Sequence, residues 1–358
     1  MAKFTEFFED VTKQGTKIPT NLYLENGLYP IIDQGQSEIA GYTNQTEGLF
    51  TDIPAIIFGD HTRIIKYVDT PCFLGADGVK LLKAKDPAAN YKYLYYALCN
   101  ANIPNTGYNR HFKWLKEIDI PEYSEKEQNI IVAQLEKIDT LIYFRKQQLS
   151  KLDELVKSRF IEMFGNPESN PYGHPTKKLS DIASYWNGLT YKPEDVQDQG
   201  TIVLRSSNIQ NSQLDFEDTV RVTCKIREKQ YVQNNDILMC SRNGSAKLVG
   251  KVALITNISE PMSFGAFMMI IRSDYYRYLM TYFQMDAFRN QIKTGATTTI
   301  NQITGNMLNQ VILPVPDLSV VSQFASFVEQ IEKSKFEIQQ SLEKLETLKK
   351  ALMQKYFG

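Results

Sequence analysis

Five short stretches concentrate the side chains able to do chemistry. In the first third, "GDHTR" (Gly59–Arg63) offers His61, Thr62 and Arg63, and "GYNRHFKW" (Gly107–Trp114) offers Asn109, Arg110, His111 and Lys113 among aromatics. In the second half, "RSSNIQNSQ" (Arg205–Gln213) offers Arg205, Ser206 and Asn208, and "SRNGSAK" (Ser241–Lys247) offers Arg242, Asn243, Ser245 and Lys247. "TGATTTINQ" (Thr294–Gln302) adds Thr297, Thr298, Thr299, Asn301 and Gln302. Arg, Asn, Gln, Ser and Thr are the types that hydrogen-bond base edges and hold phosphate oxygens. They also fill ordinary polar loops, so one cluster alone is ambiguous. Comparable clusters in both halves favour a binding role.

Catalytic machinery is harder to find. There is no GxxxxGK[ST] phosphate loop and no Gly-rich strand–loop–helix for a methyl donor. His61 beside Asp60 and Arg63 admits an acid–base reading, but a polar turn or a binding contact explains it better. The cysteines Cys72, Cys99, Cys224 and Cys240 form no CxxC pair and show no metal-ligand spacing to His61, His111 or His174. The expectation is reduced thiols, no metal, no cofactor on this chain and no catalysis by it alone.

Charge narrows the class further. Lys and Arg number 40 against 41 Asp and Glu. Residues 1–120 carry 12 basic against 14 acidic side chains, net −2; residues 166–314 carry 15 against 13, net +2. A lone nucleic-acid binder is usually more basic. If these segments bind DNA, partners must supply much of the phosphate neutralisation. The polar, acidic start and the lack of an 18-residue apolar run point to a cytoplasmic protein without a membrane span.

The elements that position the clusters come twice. At a constant offset of 193 residues, "WLKEIDIP" (Trp114–Pro121) falls on "MLNQVILP" (Met307–Pro314), and Phe164–Gly165 falls on Phe357–Gly358. Upstream, "KFTEFFEDV" matches "KLSDIASYW", "IPAIIFGDHTRIIKYV" matches "NDILMCSRNGSAKLVGKVALI", and "YLYYAL" matches "YLMTYF". Internal repetition on this scale predicts globular domain, long helix, globular domain, long helix. The boundaries are 1–120, 121–165, 166–314 (with 166–178 as linker) and 315–358. Gly165 followed by Pro167 and Pro171 reads as a helix stop and linker. "SNPY" inside that linker is similar to the substrate loop of amino-methyltransferases, but no cofactor strand accompanies it.

Both helical segments carry a coiled-coil seam. One runs through Ile131, Leu135, Ile138, Ile142, Leu149 and Leu152, the other through Phe324, Val328, Ile331, Ile338, Leu342 and Leu345. The alternating 3–4 spacing is that of two helices packed side by side. Arg145 and Lys335 interrupt the seams and either fix register or snorkel. An antiparallel pairing is expected, because two-fold pairing is the commonest closure of a duplicated unit. The globular parts read as α+β, with "SRNGS" as a hairpin turn and "NYKYLYYALCN" and "YYRYLMTYFQMDAFRNQI" as helices.

Together the twin helices, the "FGNPESNPYG" linker, the "SRNGS…VGKVALI" hairpin and "TGATTTINQITGNMLNQVILPVP" resemble the specificity subunit of type I restriction–modification systems. The resemblance covers nearly the whole chain. The first domain departs from it, with "GYNRHFKWLKEIDIP" where a TGA-type stretch stands in the second. The resemblance implies an α+β fold with two tandem target recognition domains and an antiparallel coiled coil. It implies double-stranded DNA as ligand, each domain reading half of a bipartite, asymmetric site. Two modification subunits and, in the full complex, restriction/translocase subunits are the implied partners. Those partners would carry S-adenosylmethionine, ATP and Mg. A coiled-coil adaptor with two ligand- or protein-binding domains is the alternative; a self-sufficient nuclease or methyltransferase lacks its motifs.

Overall fold

The computed structural model describes residues 1–75, 78–293 and 301–358. The chain forms two compact units, Met1–Gln147 with Gln339–Gly358, and Gln148–Ile338. Each is α+β. Among the described residues no helix is long and apolar enough to cross a membrane.

The first unit opens with β1 (Ala2–Lys3), α1 (Phe4–Phe7) and β2 (Phe8–Asp10). Then come β3 (Tyr29–Ile32), β4 (Gly41–Thr43), β5 (Ala55–Gly59), β6 (Ile65–Val68), β7 (Phe73–Leu74) and β8 (Val79–Ala84). Helices α2 (Tyr91–Cys99) and α3 (Phe112–Leu115), strand β9 (Asp119–Ile120) and the long helix α4 (Glu125–Phe164) follow. One sheet has the order β2-β8-β5-β6, a second β4-β3-β7, and β1 pairs with β9. Strand β5 is buried on both faces, as its unbroken apolar run requires. Ile56 and Phe58 enter a cluster with Phe4, Phe8 and Leu94 of α2. Ala55 and Ile57 alternate into another with Val11, Ile32 and Leu74. A side chain such as Phe58, with no exposed surface, contributes about 2–3 kcal/mol by leaving water.

The second unit repeats this plan. Strand β10 (Thr176–Lys178), α5 (Leu179–Ile182) and β11 (Ser184–Asn187) lead to β12 (Val196–Gln197), β13 (Thr201–Leu204), β14 (Ile209–Gln210), β15 (Gln213–Leu214) and β16 (Arg221–Val222). Next are β17 (Ile237–Cys240), β18 (Val252–Leu254), β19 (Met262–Phe264) and β20 (Met268–Arg272). Then come α6 (Tyr276–Tyr282), α7 (Asp286–Lys293), α8 (Gly305–Asn309), β21 (Ile312–Pro314) and the long helix α9 (Leu318–Phe357). The sheets are ordered β11-β20-β17-β18 and β12-β16-β13-β19, and β10 pairs with β21. Strand by strand, β11, β20, β17 and β18 stand where β2, β8, β5 and β6 stand in the first unit. The parallel pair β13–β19 likewise matches β3–β7. The repetition therefore reaches topology, beyond the shared tails.

Two local expectations change. The stretch Tyr275–Lys293 is two helices, α6 and α7, instead of one. Phe283 packs back on Phe288 with ring centroids 4.8 Å apart, and Asp286 begins the new helix as an N-terminal carboxylate. Strands β17 and β18 do form an antiparallel hairpin, but Asn243–Gly244 is not a two-residue turn. It lies inside a loop of residues 241–251, where Asn243 Oδ1 accepts from the Ser245 N–H.

Helices α4 and α9 are 40 residues each, and each contributes one stretch to each unit. Ser124 and Glu127 form a capping box at the start of α4: Ser124 N–H donates to Glu127 Oε2 (2.9 Å), and Glu127 N–H to Ser124 Oγ (3.4 Å). Gly165, at φ 75°, closes it in the left-handed conformation. In the first unit the beginning of α4 runs beside the end of α9. Ile131 and Leu135 share a core with Met353 and Phe357, and Arg145 Nε donates to Ser341 Oγ at 3.2 Å. In the second unit the end of α4 runs beside the beginning of α9. Phe160 and Phe164 pack on Phe324, and Lys335 pairs with Asp153 at 2.9 Å. In both units the pairing is antiparallel. Arg145 and Lys335 thus make polar interhelix contacts within the seam. Burial alone would lower the Lys335 ammonium, but Glu332 and Asp153 outweigh it and hold it above the usual lysine range. Toward the helix middles, Ile142, Leu149, Leu152, Ile331, Ile338 and Leu345 are only half-buried.

Candidate nucleic-acid interface

In the first unit the fold brings both sequence clusters into one site. Strand β5 delivers the turn that holds Asp60, His61, Thr62 and Arg63; the loop before α3 delivers Asn109, Arg110 and His111. The His111 N–H donates to the Asp60 carbonyl (2.8 Å), and Phe112 N–H to Asp60 Oδ1 (2.7 Å). His61 Nδ1 lies 3.2 Å from the Asn109 carbonyl. Gln34 completes the junction, its Oε1 accepting from His61 N–H (3.1 Å) and its carbonyl from Thr62 Oγ1 (2.7 Å). Arg63 takes φ 64° at the turn and donates to the Ile103 carbonyl at 3.2 Å. Arg110 and Lys113 are exposed, with Lys113 Nζ 4.1 Å from the Trp114 ring centroid.

His111 is a correction. It has no exposed surface; Nδ1 is 2.9 Å from the Asp60 carbonyl and Nε2 3.4 Å from Thr106 Oγ1. A ring sealed between two loops holds them together and is not available to a ligand.

The second unit assembles its clusters the same way. Strand β17 delivers Ser241 to Lys247, and the segment before α8 delivers Asn301 and Gln302. Ile303 N–H donates to the Ser241 carbonyl (2.7 Å), Asn301 Nδ2 donates to the Gly244 carbonyl (3.2 Å), and Arg242 bridges with Gln302. Asn243 Nδ2 reaches Ser206 Oγ at 3.2 Å and ties in the third stretch. Arg242, Ser245 and Lys247 are exposed. Arg205 is paired with Asp218 at 2.7 Å. Thr297, Thr298 and Thr299 lie outside the described residues.

Asn208 is the second correction. It is 1% exposed; its Nδ2 donates to the Asp215 and Asp218 carbonyls (2.8 and 2.9 Å), and its Oδ1 accepts from Arg205 N–H (2.8 Å). Every polar atom of that side chain is used to shape the loop. Conversely, sequence reasoning missed Gln34 and Phe267. Nothing local marks Gln34, which arrives from a distant loop. Phe267 lies in an apolar-looking run, yet Ser241 N–H, Arg242 N–H and Ser241 Oγ all donate to its carbonyl.

Both sites therefore present hydrogen-bonded loops with exposed donors and cations. Burial pushes the Cys72 thiol up to about 11 and raises Cys240 and Cys224, which leaves these three as protonated thiols near neutral pH. Among the described residues no group of three or more His, Cys, Asp or Glu comes together as a metal site.

The chain thus repeats one α+β unit, with a polar loop cluster in each copy. The family described as type I restriction modification DNA specificity domain matches residues 2–154 and 173–350, and the chain belongs to it. It is 26% identical over 196 residues to the StySPI specificity subunit of Salmonella potsdam, and 25% identical over 196 residues to the EcoKI specificity subunit of Escherichia coli K12. Each match covers 51% of this chain and 42% of the relative, less than half the relative's length. The type I restriction–modification S subunit of M. genitalium superposes with a TM-score of 0.58 at 16% identity, covering 99% of this chain and 95% of that one. A chain from a study of assembly and conformational transition of the type I R-M system gives 0.52 at 15%, with the same coverage. These likenesses establish the shared fold.

Proposed function

We propose that this chain is the non-catalytic DNA-specificity subunit of a type I restriction–modification complex, an adenine methyltransferase with or without an endonuclease. Its target is a bipartite, asymmetric site in double-stranded DNA. The recognition domain of residues 1–120 reads one half and that of residues 166–314 the other. The observation that carries this is the duplicated unit with one exposed polar cluster per copy, similar in placement but different in residues. Two unlike readers suit a target with two unlike halves. Family membership gives the same direction.

The paired helices serve as spacer and as docking surface for two modification subunits. Exposed apolar side chains support docking: Leu141 and Phe144 on α4 in the first unit, Leu155 and Phe336 in the second. S-adenosylmethionine sits on those partners, ATP and Mg on the partners of the full complex, which acts in the cytoplasm. The methylated adenine is drawn out of the stack into a partner's pocket, because its N6 cannot be reached within the duplex. The near-neutral charge fits a reader whose partners provide most phosphate contacts.

Footprinting of the chain with its modification subunits tests this. The expected pattern is two short sequence-specific segments with an unread gap. A single continuous segment, or sequence-independent protection, contradicts it.

A further inference from the structure

Each polar cluster holds one large aromatic ring that the fold leaves bare. Tyr108 is 87% exposed. Its inner face lies on the His61 ring, centroids 4.5 Å apart and planes 7° from parallel. His61 is itself pinned by Gln34 and the Asn109 carbonyl. The backbone on either side of Tyr108 is also tied, with Gly107 at φ 75° and Asn109 N–H donating to the Gly107 carbonyl at 2.8 Å. In the second unit Phe267 is 60% exposed, and the Arg242 guanidinium lies 5.2 Å from its ring centroid. Its carbonyl takes the three hydrogen bonds already described, and Asn187 Nδ2 donates to the neighbouring Ala266 carbonyl at 3.3 Å. Both rings are held in place while their outer faces meet water.

An exposed aromatic forgoes much of the burial that usually stabilises such a ring. Its surroundings indicate what would cover it. A protein-docking aromatic is normally set in an apolar patch. The ring partners here are polar instead, His61 for Tyr108 and Arg242 for Phe267, and the loops that carry these partners and Tyr108 expose further donors and cations, Thr62, Asn109 and Arg110 in the first unit and Ser245 and Lys247 in the second. Such side chains suit phosphates and base edges, and an exposed planar ring suits the face of a base. Side chains inserted at a base step partly unstack it, and stacking on an aromatic compensates.

We propose that Tyr108 and Phe267 are wedge residues, each entering a base step of duplex DNA with a planar side chain, His61 or Arg242, backing it. The proposal rests on the reading of this chain as a DNA-specificity subunit. It adds a mode of recognition to the polar contacts, since easily unstacked steps such as TA and CA/TG accept a wedge most readily.

The test uses the chain assembled with its modification subunits and duplexes carrying its target, with 2-aminopurine placed at successive adenines. Besides the adenine drawn out for methylation, one further step in each half-site should show a rise in fluorescence. Tyr108→Ala should abolish the rise in one half and Phe267→Ala in the other, each weakening binding roughly five- to hundredfold. Tyr108→Phe and Phe267→Tyr should retain both signals. Because no charge is removed, the salt dependence of binding should keep its slope; loss of a phosphate contact would lower it. Wild-type binding and fluorescence in both alanine variants would overturn the wedge and leave the DNA reading standing. A wild-type complex that binds no sequence specifically would overturn both.

Discussion

Replacing Asn208 by Ala should unfold the second unit more easily rather than remove a DNA contact. The side chain makes three hydrogen bonds, two as donor to the Asp215 and Asp218 carbonyls and one as acceptor from Arg205 N–H. Each is worth about 1 kcal/mol net, and stranded partners cost more where water cannot reach them. The expected loss is therefore about 3 kcal/mol. With a urea slope of about 2 kcal/mol per molar, the midpoint falls by roughly 1.5 M. The chain has two tryptophans, Trp114 in the first unit and Trp186 in the second. Trp114→Phe in the wild-type and variant backgrounds leaves Trp186 as the reporter of the second unit. Its indole N–H donates to the Lys229 carbonyl at 2.8 Å, and its ring packs on the core around Leu238 and Ile270. Asn208→Asp sharpens the test. The acceptor for Arg205 N–H survives, but a carboxylate now faces two carbonyl oxygens. At pH 7 this variant should be at least as unstable as Asn208→Ala, and it should recover on acidification as the carboxyl regains a proton. An Asn208→Ala protein that unfolds at the wild-type midpoint yet loses DNA affinity would refute the structural assignment.

Two further outcomes are expected. Burial raises the Asp10 carboxyl, but hydrogen bonds from Thr12 and Lys80 outweigh it and hold it below the usual carboxylate range. Its folded value is thus below its unfolded one. Its stabilisation is complete above pH ~4 and is lost as pH falls through the folded value. In urea titrations from pH 6 to pH 3 read by Trp114 fluorescence in a Trp186→Phe background, Asp10→Asn should be less stable at pH 6 and lose less on acidification. Parallel curves for the two proteins would refute this. Inserting about seven residues into both α4 and α9 adds ~10 Å at 1.5 Å per residue, near three base pairs at ~3.4 Å each. Footprints should then show a longer gap between unchanged half-sites; an unchanged gap would remove the helices from the role of spacer.

The sequence carried the repeat and the seam clearly, because apolar spacing and tails such as Phe164–Gly165 and Phe357–Gly358 are local signals. The β-strands around Ile56 and Leu238 were legible for the same reason. Convergence was less so. That "GDHTR" and "GYNRHFKW" meet depends on the Asp60–His111 and His61–Asn109 contacts, which join positions about 50 residues apart. Residue type could not separate Asn208 and His111, whose polar atoms face inward, from Asn109 and Arg110, whose neighbourhood is open. Asn-Gly suggested a tight turn, but Asn243 spends its side chain on Ser245 and Ser206 instead. Phe267 was invisible as a surface residue because an apolar run reads as core until its carbonyl is seen anchored to Ser241 and Arg242.

We propose that each half of a two-part DNA site is read by its own unit. Exchanging residues 1–120 for the corresponding segment of another family member, then mapping methylated adenines in cells that express the chain with its modification subunits, tests it most directly. One half-site should change while the other half and the gap are retained. A change in both halves, or in neither, would contradict it.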